Sequence, residues 1–252
     1  MNAMASMSQP PAAELWDGIY ARSEIPLELD AGAEGIIARA LAFFGDVAGK
    51  TVVDLGCGRG EYSIYLARRS AKVIALDTSE VAIERLRDFC RRNSIANVTP
   101  VCASALEIEK VGKFDFIFGT MILHHIEPFE DFARALKRAL NVGGKGFFHE
   151  NSAMSRLMMW GREHVAGRLW IPKFGDPDEY PLTPQEVDCL KRYFRAHVEY
   201  PEMYLFQLVL AYLSRNKLVE LGAAIDRFLY RKRLFLKYSY RQDVLLENAA
   251  VR

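Results

Sequence analysis

The chain has 252 residues, half of them hydrophobic, with 33 basic and 32 acidic side chains. A chain of this length holds one full α/β domain with room for an added segment. The formal net charge of +1 argues against a protein that coats nucleic acid. The four cysteines form no Cys-x-x-Cys pair, so the sequence favours reduced thiols over a zinc knuckle or a redox motif.

The N-terminal residues 1–13 are small, polar and proline-bearing. They lack the charged start and the apolar run of a signal peptide, so a disordered tail and a cytoplasmic protein are expected.

Apolar periodicity then predicts strands and helices in alternation. Strands are predicted over residues 51–55, 72–77, 98–102, 114–119, 145–150, 197–202 and 234–247. Helices are predicted over residues 33–44, 61–69, 129–140 and 154–169. Two more are predicted from their caps, one after Thr78 or Ser79 and one after a capping box at Thr183. Residues 203–229 are predicted to form one or two helices. This alternation predicts a doubly wound, mostly parallel, seven-stranded sheet with helices on both faces and a helical cap.

A glycine-rich turn follows the first predicted strand. Gly56, Gly58 and Gly60 allow a tight turn and let a ligand approach the backbone closely. A dinucleotide fingerprint would need its third glycine at position 61, where Glu61 stands. The spacing therefore disfavours a nicotinamide-dependent oxidoreductase.

Two acids accompany the turn. Asp54 precedes the glycines, and Asp77 ends the next predicted strand, a position that suits hydrogen bonds to ribose hydroxyls. Together with the Gly-x-Gly-x-Gly spacing, these residues resemble motif I of the class I S-adenosylmethionine-dependent methyltransferases. The resemblance implies a class I fold whose last strand is antiparallel, with S-adenosylmethionine as cofactor and S-adenosylhomocysteine as product.

The resemblance also implies which residues bind the cofactor. The glycine turn would cradle its methionine part, Asp77 would hold the ribose, and Trp16 and Tyr20 would cover it. Where many relatives place an aspartate for the adenine amine, this chain has Ser104, which could accept that bond more weakly, as could the backbone. The predicted cofactor-binding residues are Tyr20, Asp54, Gly56, Cys57, Gly58, Asp77, Thr78, Ser104 and Thr120. The alternative for Asp54 is a buried acid that accepts hydrogen bonds from the amides of the turn.

Histidines supply the candidates for catalysis. Methyl transfer is an in-line displacement, and it needs a base only when the acceptor, such as a hydroxyl, keeps its proton at neutral pH. His124 and His125 follow the fourth predicted strand, and His149 ends the fifth. The alternative is that these histidines pack or hydrogen-bond without taking a proton. A metal site from His125, His149 and Glu150 is conceivable, but the usual run of carboxylates is missing and no metal is expected.

Some substrates are disfavoured. The chain has no Asn-Pro-Pro-Tyr or Asp-Pro-Pro-Tyr motif after the fourth strand and no Pro-Cys pair, and its near-zero charge makes nucleic acid an unfavoured acceptor. The sequence thus predicts methyl transfer to a small-molecule or lipid-linked acceptor, at oxygen. The alternatives are transfer to nitrogen or carbon, and a cofactor-binding regulatory protein without turnover. Residues 14–152 would form the cofactor-binding core with its N-terminal cap helices, and 153–252 the substrate cap with the last two strands.

Residues 203–237 allow two interpretations. The apolar run 203–213 is shorter than the roughly 20 residues that span a bilayer. Beyond it, basic and apolar residues alternate, which suits either a helical cap packed on the sheet or peripheral contact with an anionic membrane surface. No pattern in the chain indicates its oligomeric state.

Overall fold

The computed structural model describes residues 17–22, 24–26, 28–164 and 180–249. The predictions for residues 1–13, for Trp16 and for 165–179 lie outside these ranges. The chain divides into two compact units, residues 1–108 and 109–252. The predicted boundary after residue 152 concerns the roles of the segments and stays a prediction.

The first unit contains three parallel strands in the order β3-β2-β1. Their bounds are those predicted: β1 Thr51–Leu55, β2 Lys72–Asp77 and β3 Val98–Cys102. The helices are α1 Ala31–Phe44, α2 Glu61–Ala67 and α3 Glu80–Arg92, with a further helical turn over residues 17–20. β1 and β2 are short, mostly apolar runs that the chain buries, whereas β3, at the end of this strand order, buries only Val98.

The start of α3 distinguishes between the two predicted caps. Ser79 is the cap, because its hydroxyl accepts a hydrogen bond from the Ala82 N–H at 3.1 Å, whereas Thr78 is exposed. The predicted apolar face of this helix is partly wrong, since Val81 and Phe89 are only half-buried. The buried residues of α3 are Ala82, Ile83, Leu86 and Cys90.

The second unit contains four strands in the order β4-β5-β7-β6. They are β4 Phe114–Thr120, β5 Leu140–Asn151, β6 Arg195–Glu199 and β7 Arg241–Glu247. β4 and β5 are parallel, and β7 is antiparallel to both of its neighbours. The helices from the unit boundary onwards are α4 Ile108–Val111, α5 Phe129–Ala139, α6 Arg156–His164, α7 Pro184–Tyr193, α8 Phe206–Ser214 and α9 Val219–Arg231. The seven-stranded, mostly parallel α/β class and the antiparallel last strand are confirmed.

Several predicted boundaries are wrong in the second unit. β5 begins at Leu140 instead of residue 145, and its register is irregular, since Phe114 pairs with Leu140 but Phe116 pairs with Lys145. The last strand begins at Arg241, because a 3₁₀ helix occupies Leu236–Tyr238. The sixth strand covers Arg195–Glu199 instead of 197–202. Residues 203–229 form two helices, which is one of the two predicted outcomes; Arg215 and Asn216, both at positive φ, lie between them.

Two further findings concern helices. The capping box before α7 is confirmed, since the Glu186 carboxylate accepts from the Thr183 N–H at 2.6 Å and the Thr183 hydroxyl accepts from the Glu186 N–H at 3.3 Å. Among the described residues, no helix has the length and apolar character needed to cross a bilayer.

A buried carboxylate joins β1 to α2. Asp54 is 2% exposed and accepts a 2.6 Å hydrogen bond from the hydroxyl of Ser63, which is fully buried. Burial raises the pKa of the Asp54 carboxyl to about 7, although the hydrogen bonds from Ser63 oppose the shift. Asp54 thus holds the strand against the first helical turn, and the glycine turn is fixed between them.

The raised pKa of Asp54 predicts a pH-dependent stability. The folded state binds the Asp54 proton more tightly than the unfolded chain does, so this stabilisation is full below pH 4 and is lost as the pH rises towards 7. A shift from 3.8 to about 7 corresponds to about 4 kcal/mol. We expect Asp54→Asn, which cannot ionise, to gain stability relative to the wild type between pH 4 and pH 8 in urea unfolding. A constant difference between the two proteins over this range would contradict the assignment.

Candidate functional site

The glycine turn of the first unit has a backbone that requires glycine. Gly56, Gly58 and Gly60 have φ values of 70°, 50° and 83°. A Cβ on Gly60 would also lie 2.6 Å from a side-chain carbon of Leu86. The N–H groups of Gly56 and Cys57 both donate to the Leu76 carbonyl, at 2.8 and 3.1 Å, so the turn is anchored on the end of β2.

Asp77 organises the same turn. One of its carboxylate oxygens accepts from the Gly58 N–H at 2.8 Å, and the other accepts from the Ser79 N–H at 2.9 Å. Burial raises the pKa of this carboxyl, and these backbone hydrogen bonds lower it in part. Each oxygen can accept a second hydrogen bond, so Asp77 can hold the turn and still accept from a diol. The sequence pointed to a ribose ligand at Asp77 and missed its role in the turn.

Tyr20 lies against the glycine turn. A Cβ on Gly58 would be 2.9 Å from the Tyr20 hydroxyl oxygen, so the phenol occupies the space that a side chain at Gly58 would need. Burial raises the pKa of Tyr20, and the negative charge of Asp77 raises it further. The phenol therefore keeps its proton at neutral pH and is a hydrogen-bond donor.

Two contacts hold the helical turn that carries Tyr20. The Ser79 hydroxyl donates to the Asp17 carboxylate, and the Arg85 guanidinium donates to the Ala21 carbonyl at 3.2 Å. Both partners belong to α3 or its cap, so the N-terminal turn is fixed on the same helix whose start Asp77 binds. No pattern in the sequence indicates these contacts, because they join residues more than sixty positions apart.

The other predicted cofactor residues of the first unit have different surroundings. Cys57 is buried, and burial raises the pKa of its thiol well above the usual range, so it is not a nucleophile. The Ser104 hydroxyl accepts from the Leu106 N–H at 3.2 Å and caps a 3₁₀ helix. It keeps a proton and one lone pair for a ligand. Cys102, which the sequence did not single out, is exposed and donates to the Thr78 carbonyl at 3.6 Å.

These residues fit S-adenosylmethionine. The turn has no side chain at Gly56, so its backbone allows a close approach there, while Tyr20 covers Gly58. Asp77 supplies acceptors for a ribose diol, and Tyr20 supplies a donor. A buried carboxylate at this position also suits a ligand that carries a positive sulfonium charge.

In the second unit, His124 is paired with Glu150. Their side chains are 1% and 0% exposed, and His124 Nδ1 lies 2.6 Å from a Glu150 carboxylate oxygen. The other Glu150 oxygen accepts from the N–H groups of Ile122 and Leu123, at 2.8 and 2.7 Å. We assign the Nδ1–H tautomer from this geometry, which places the lone pair of the neutral ring on Nε2. Glu150 therefore orients the imidazole and fixes its loop.

His149 forms a second pair, with Asp243. His149 Nδ1 lies 2.6 Å from an Asp243 carboxylate oxygen, and both residues are at least nine-tenths buried. The two residues face each other across β5 and β7, while Thr120 is the partner of His149 on β4. The sequence placed His149 among the candidates but missed Asp243, because the strand register brings the two together.

The remaining residues of this cluster differ in exposure. His125 is exposed, and its ring centroid lies 4.1 Å from that of His124. Asn151 Oδ1 and Gln242 Nε2 are buried and have no hydrogen-bond partner, so a polar ligand at either atom would relieve a desolvation cost. His149 and Glu150 bind different partners, and no group of three metal-ligating side chains occurs in the described parts of the chain.

Comparisons with known proteins bear on both units. Residues 52–144 match the family model described as a methyltransferase domain. Over 128 residues the chain is 32% identical to the ubiquinone biosynthesis O-methyltransferase of Ralstonia nicotianae, a match that covers 49% of this chain and 53% of the relative. The chain spans about half to three fifths of the length of the first curated relatives it matches.

Solved structures share the fold. A SAM-dependent methyltransferase from Aquifex aeolicus superposes with a TM-score of 0.56 at 17% identity, over 94% of this chain and 98% of that one. The [4+2]-cyclase SpnF superposes with a TM-score of 0.57 at 14% identity, over 91% of this chain and 86% of that one. At these identities the likeness shows the fold alone. Residues 52–144 thus form a methyltransferase domain, and the fold of the chain is that of S-adenosylmethionine-dependent methyltransferases.

Proposed function

We propose that this protein transfers a methyl group from S-adenosylmethionine to a hydroxyl of a small-molecule or lipid-linked acceptor. The observation that carries the proposal is the buried His124–Glu150 pair. A hydroxyl acceptor needs a base, and a histidine that a carboxylate orients through Nδ1 can accept a proton at Nε2. The relatives named as ubiquinone biosynthesis O-methyltransferases support transfer to oxygen. Transfer to a nitrogen that already has a free lone pair would need no base, so the His124–Glu150 pair would have no catalytic role.

The cofactor, when bound, supplies an electrophilic methyl group on a positively charged sulfur. The chain's own residues then have separate tasks. Asp77 accepts hydrogen bonds from the ribose, and Tyr20 covers the glycine turn and helps to exclude water. His124 accepts the acceptor's hydroxyl proton at Nε2, while Glu150 stabilises the resulting imidazolium through Nδ1.

The His149–Asp243 pair is the alternative base. It has the same histidine–carboxylate geometry at the same 2.6 Å separation. Thr120, predicted to bind the cofactor, is its neighbour on β4. The two pairs make different predictions for single substitutions, so kinetics can assign the base. We further propose a cytoplasmic location and an acceptor that is not a nucleic acid, in line with the four free cysteines and the near-neutral charge.

Removal of the Asp77 carboxylate should weaken cofactor binding. Loss of two charge-assisted hydrogen bonds costs about 2 to 4 kcal/mol, or about 30- to 1000-fold in Kd. Calorimetric titration of Asp77→Ala with S-adenosylhomocysteine measures this change. Asp88→Ala, which removes an exposed carboxylate from α3, is the matched control and should bind as the wild type does. Wild-type affinity in a folded Asp77→Ala protein would refute the ribose assignment.

Substitution of the base should slow turnover without weakening cofactor binding. Screening for methylated products in a metabolite extract first supplies an acceptor. With that acceptor, His124→Ala should lower kcat about 10²- to 10⁴-fold, whereas the exposed neighbour His125 should tolerate alanine. Glu150→Gln should shift the pH–rate profile, because the imidazolium loses its carboxylate.

The same measurements assign or reject the base. A loss below tenfold in His124→Ala, with a large loss in His149→Ala, would move the role to the second pair. Small losses in both variants would mean that the acceptor needs no base. If the wild type forms no S-adenosylhomocysteine with any acceptor but binds it tightly, the proposal of an enzyme is wrong.

A further inference from the structure

Helices α8 and α9 form a hairpin that a buried acid holds together. Asp226 of α9 is 2% exposed. Its two carboxylate oxygens accept from three N–H groups at the start of α8, at 2.8 to 3.1 Å: those of Leu205, Phe206 and Gln207. This arrangement satisfies donors that a helix start otherwise leaves open. It also places a negative charge at the positive end of the α8 dipole.

A glycine lets the two helices approach closely. A Cβ on Gly222 of α9 would lie 2.5 Å from the Phe206 carbonyl oxygen of α8. The backbones therefore touch where no side chain intervenes. With Asp226 one turn further along α9, the hairpin is held at two successive points of the same helix face.

The hairpin and the segment after it expose large apolar side chains. None of the α8 residues is fully buried, although the helix is almost entirely apolar. The most exposed apolar side chains from residue 213 to residue 235 are Leu213 (60%), Leu218 (45%), Leu221 (53%), Phe228 (49%) and Phe235 (63%). Leu221 and Phe228 lie two turns apart on one face of α9. Several large apolar side chains exposed within one short segment favour an interaction site.

Basic side chains alternate with these apolar ones along residues 213–237. Residues 213–237 contain seven lysines and arginines, all exposed: Arg215, Lys217, Arg227, Arg231, Lys232, Arg233 and Lys237. The same segment contains two acids, of which Asp226 is buried in the hairpin and only Glu220 is exposed. The surface is therefore strongly positive and apolar at once.

We propose that residues 213–237 form a docking surface for an anionic lipid bilayer. Anionic headgroups complement the seven bases, and the acyl boundary accepts exposed leucine and phenylalanine side chains beside them. The formal net charge of the whole chain is only +1, so this local excess of bases is distinctive, and such an excess beside exposed apolar side chains is typical of a peripheral membrane contact. The docking surface rests on the proposed function in one respect: if the acceptor is lipid-linked, the enzyme would reach it from this surface.

Vesicle co-sedimentation tests the proposal on the full chain. We expect the wild type to sediment with vesicles that contain phosphatidylglycerol at low salt. It should sediment less at high salt, and little with pure phosphatidylcholine. Arg227→Gln/Lys232→Gln should lower the partition coefficient about thirtyfold, since one base near the surface is worth about fivefold. Leu221→Ser/Phe228→Ser should lower it by about tenfold or more.

Matched controls separate this surface from general effects. Lys50→Gln/Lys72→Gln removes the same charge from exposed positions of the first unit, and Val142→Ser removes an apolar side chain that is 74% exposed on β5. Both controls should sediment as the wild type does. Thermal unfolding shows that each variant is folded, and calorimetry with S-adenosylhomocysteine should give wild-type affinity for the hairpin variants.

Three outcomes would overturn the proposal. They are no sedimentation of the wild type with anionic vesicles at low salt, equal losses in the control pair and the hairpin pair, and displacement of the vesicles by a DNA oligonucleotide that binds more tightly at the same salt. These results do not depend on turnover, so they stand apart from a failure of the methyltransferase assignment.

Discussion

The hydrogen bonds of the Asp77 carboxylate are the constraint on which the first unit depends. One oxygen fixes Gly58 and the other fixes Ser79, so a single side chain sets both the glycine turn and the start of α3. Ser79 in turn caps α3 and binds Asp17 of the N-terminal turn. Tyr20 follows on that turn and packs on Gly58. These contacts form a closed loop, since they lead from Asp77 through Ser79 and the N-terminal turn back to Gly58. They therefore hold the glycine turn in place without a bound ligand.

The two acids of this unit contribute in different ways. Burial raises the pKa of both carboxyls, but Asp77 accepts hydrogen bonds from backbone N–H groups, while Asp54 accepts them from Ser63. Backbone donors of a turn are fixed, and they favour the ionised form. Asp77 can thus accept hydrogen bonds from a diol as a carboxylate. Asp54, whose pKa is raised to about 7, instead joins β1 to α2 through Ser63. Both interpretations of Asp54, as a cofactor ligand and as a buried structural acid, stay predictions; its partner in the structure is Ser63.

The sequence predicts the elements of this fold better than it predicts their partners. The strands β1, β2 and β3 are predicted to the residue, because each is a short segment rich in apolar residues with polar or turn-forming residues beyond its ends. The last strand is predicted too long, because the apolar residues before Arg241 belong to a 3₁₀ helix and an exposed segment. The sequence pattern shows which residues are apolar. It does not show whether an apolar residue is buried in a strand or exposed on the surface.

Residues that pair over long distances escape sequence reasoning for a related reason. His124 and His149 could be singled out by type, but Glu150 as the partner of His124 and Asp243 as the partner of His149 depend on loop path and strand register. The same holds for Asp226, which looks like an ordinary charge on an amphipathic helix. In the structure it is buried and accepts hydrogen bonds from three backbone N–H groups at the start of α8. These hydrogen bonds hold α8 and α9 together, so the exposed leucines and phenylalanines belong to a well-packed helical hairpin. The exposed bases of the same segment give it a positive charge.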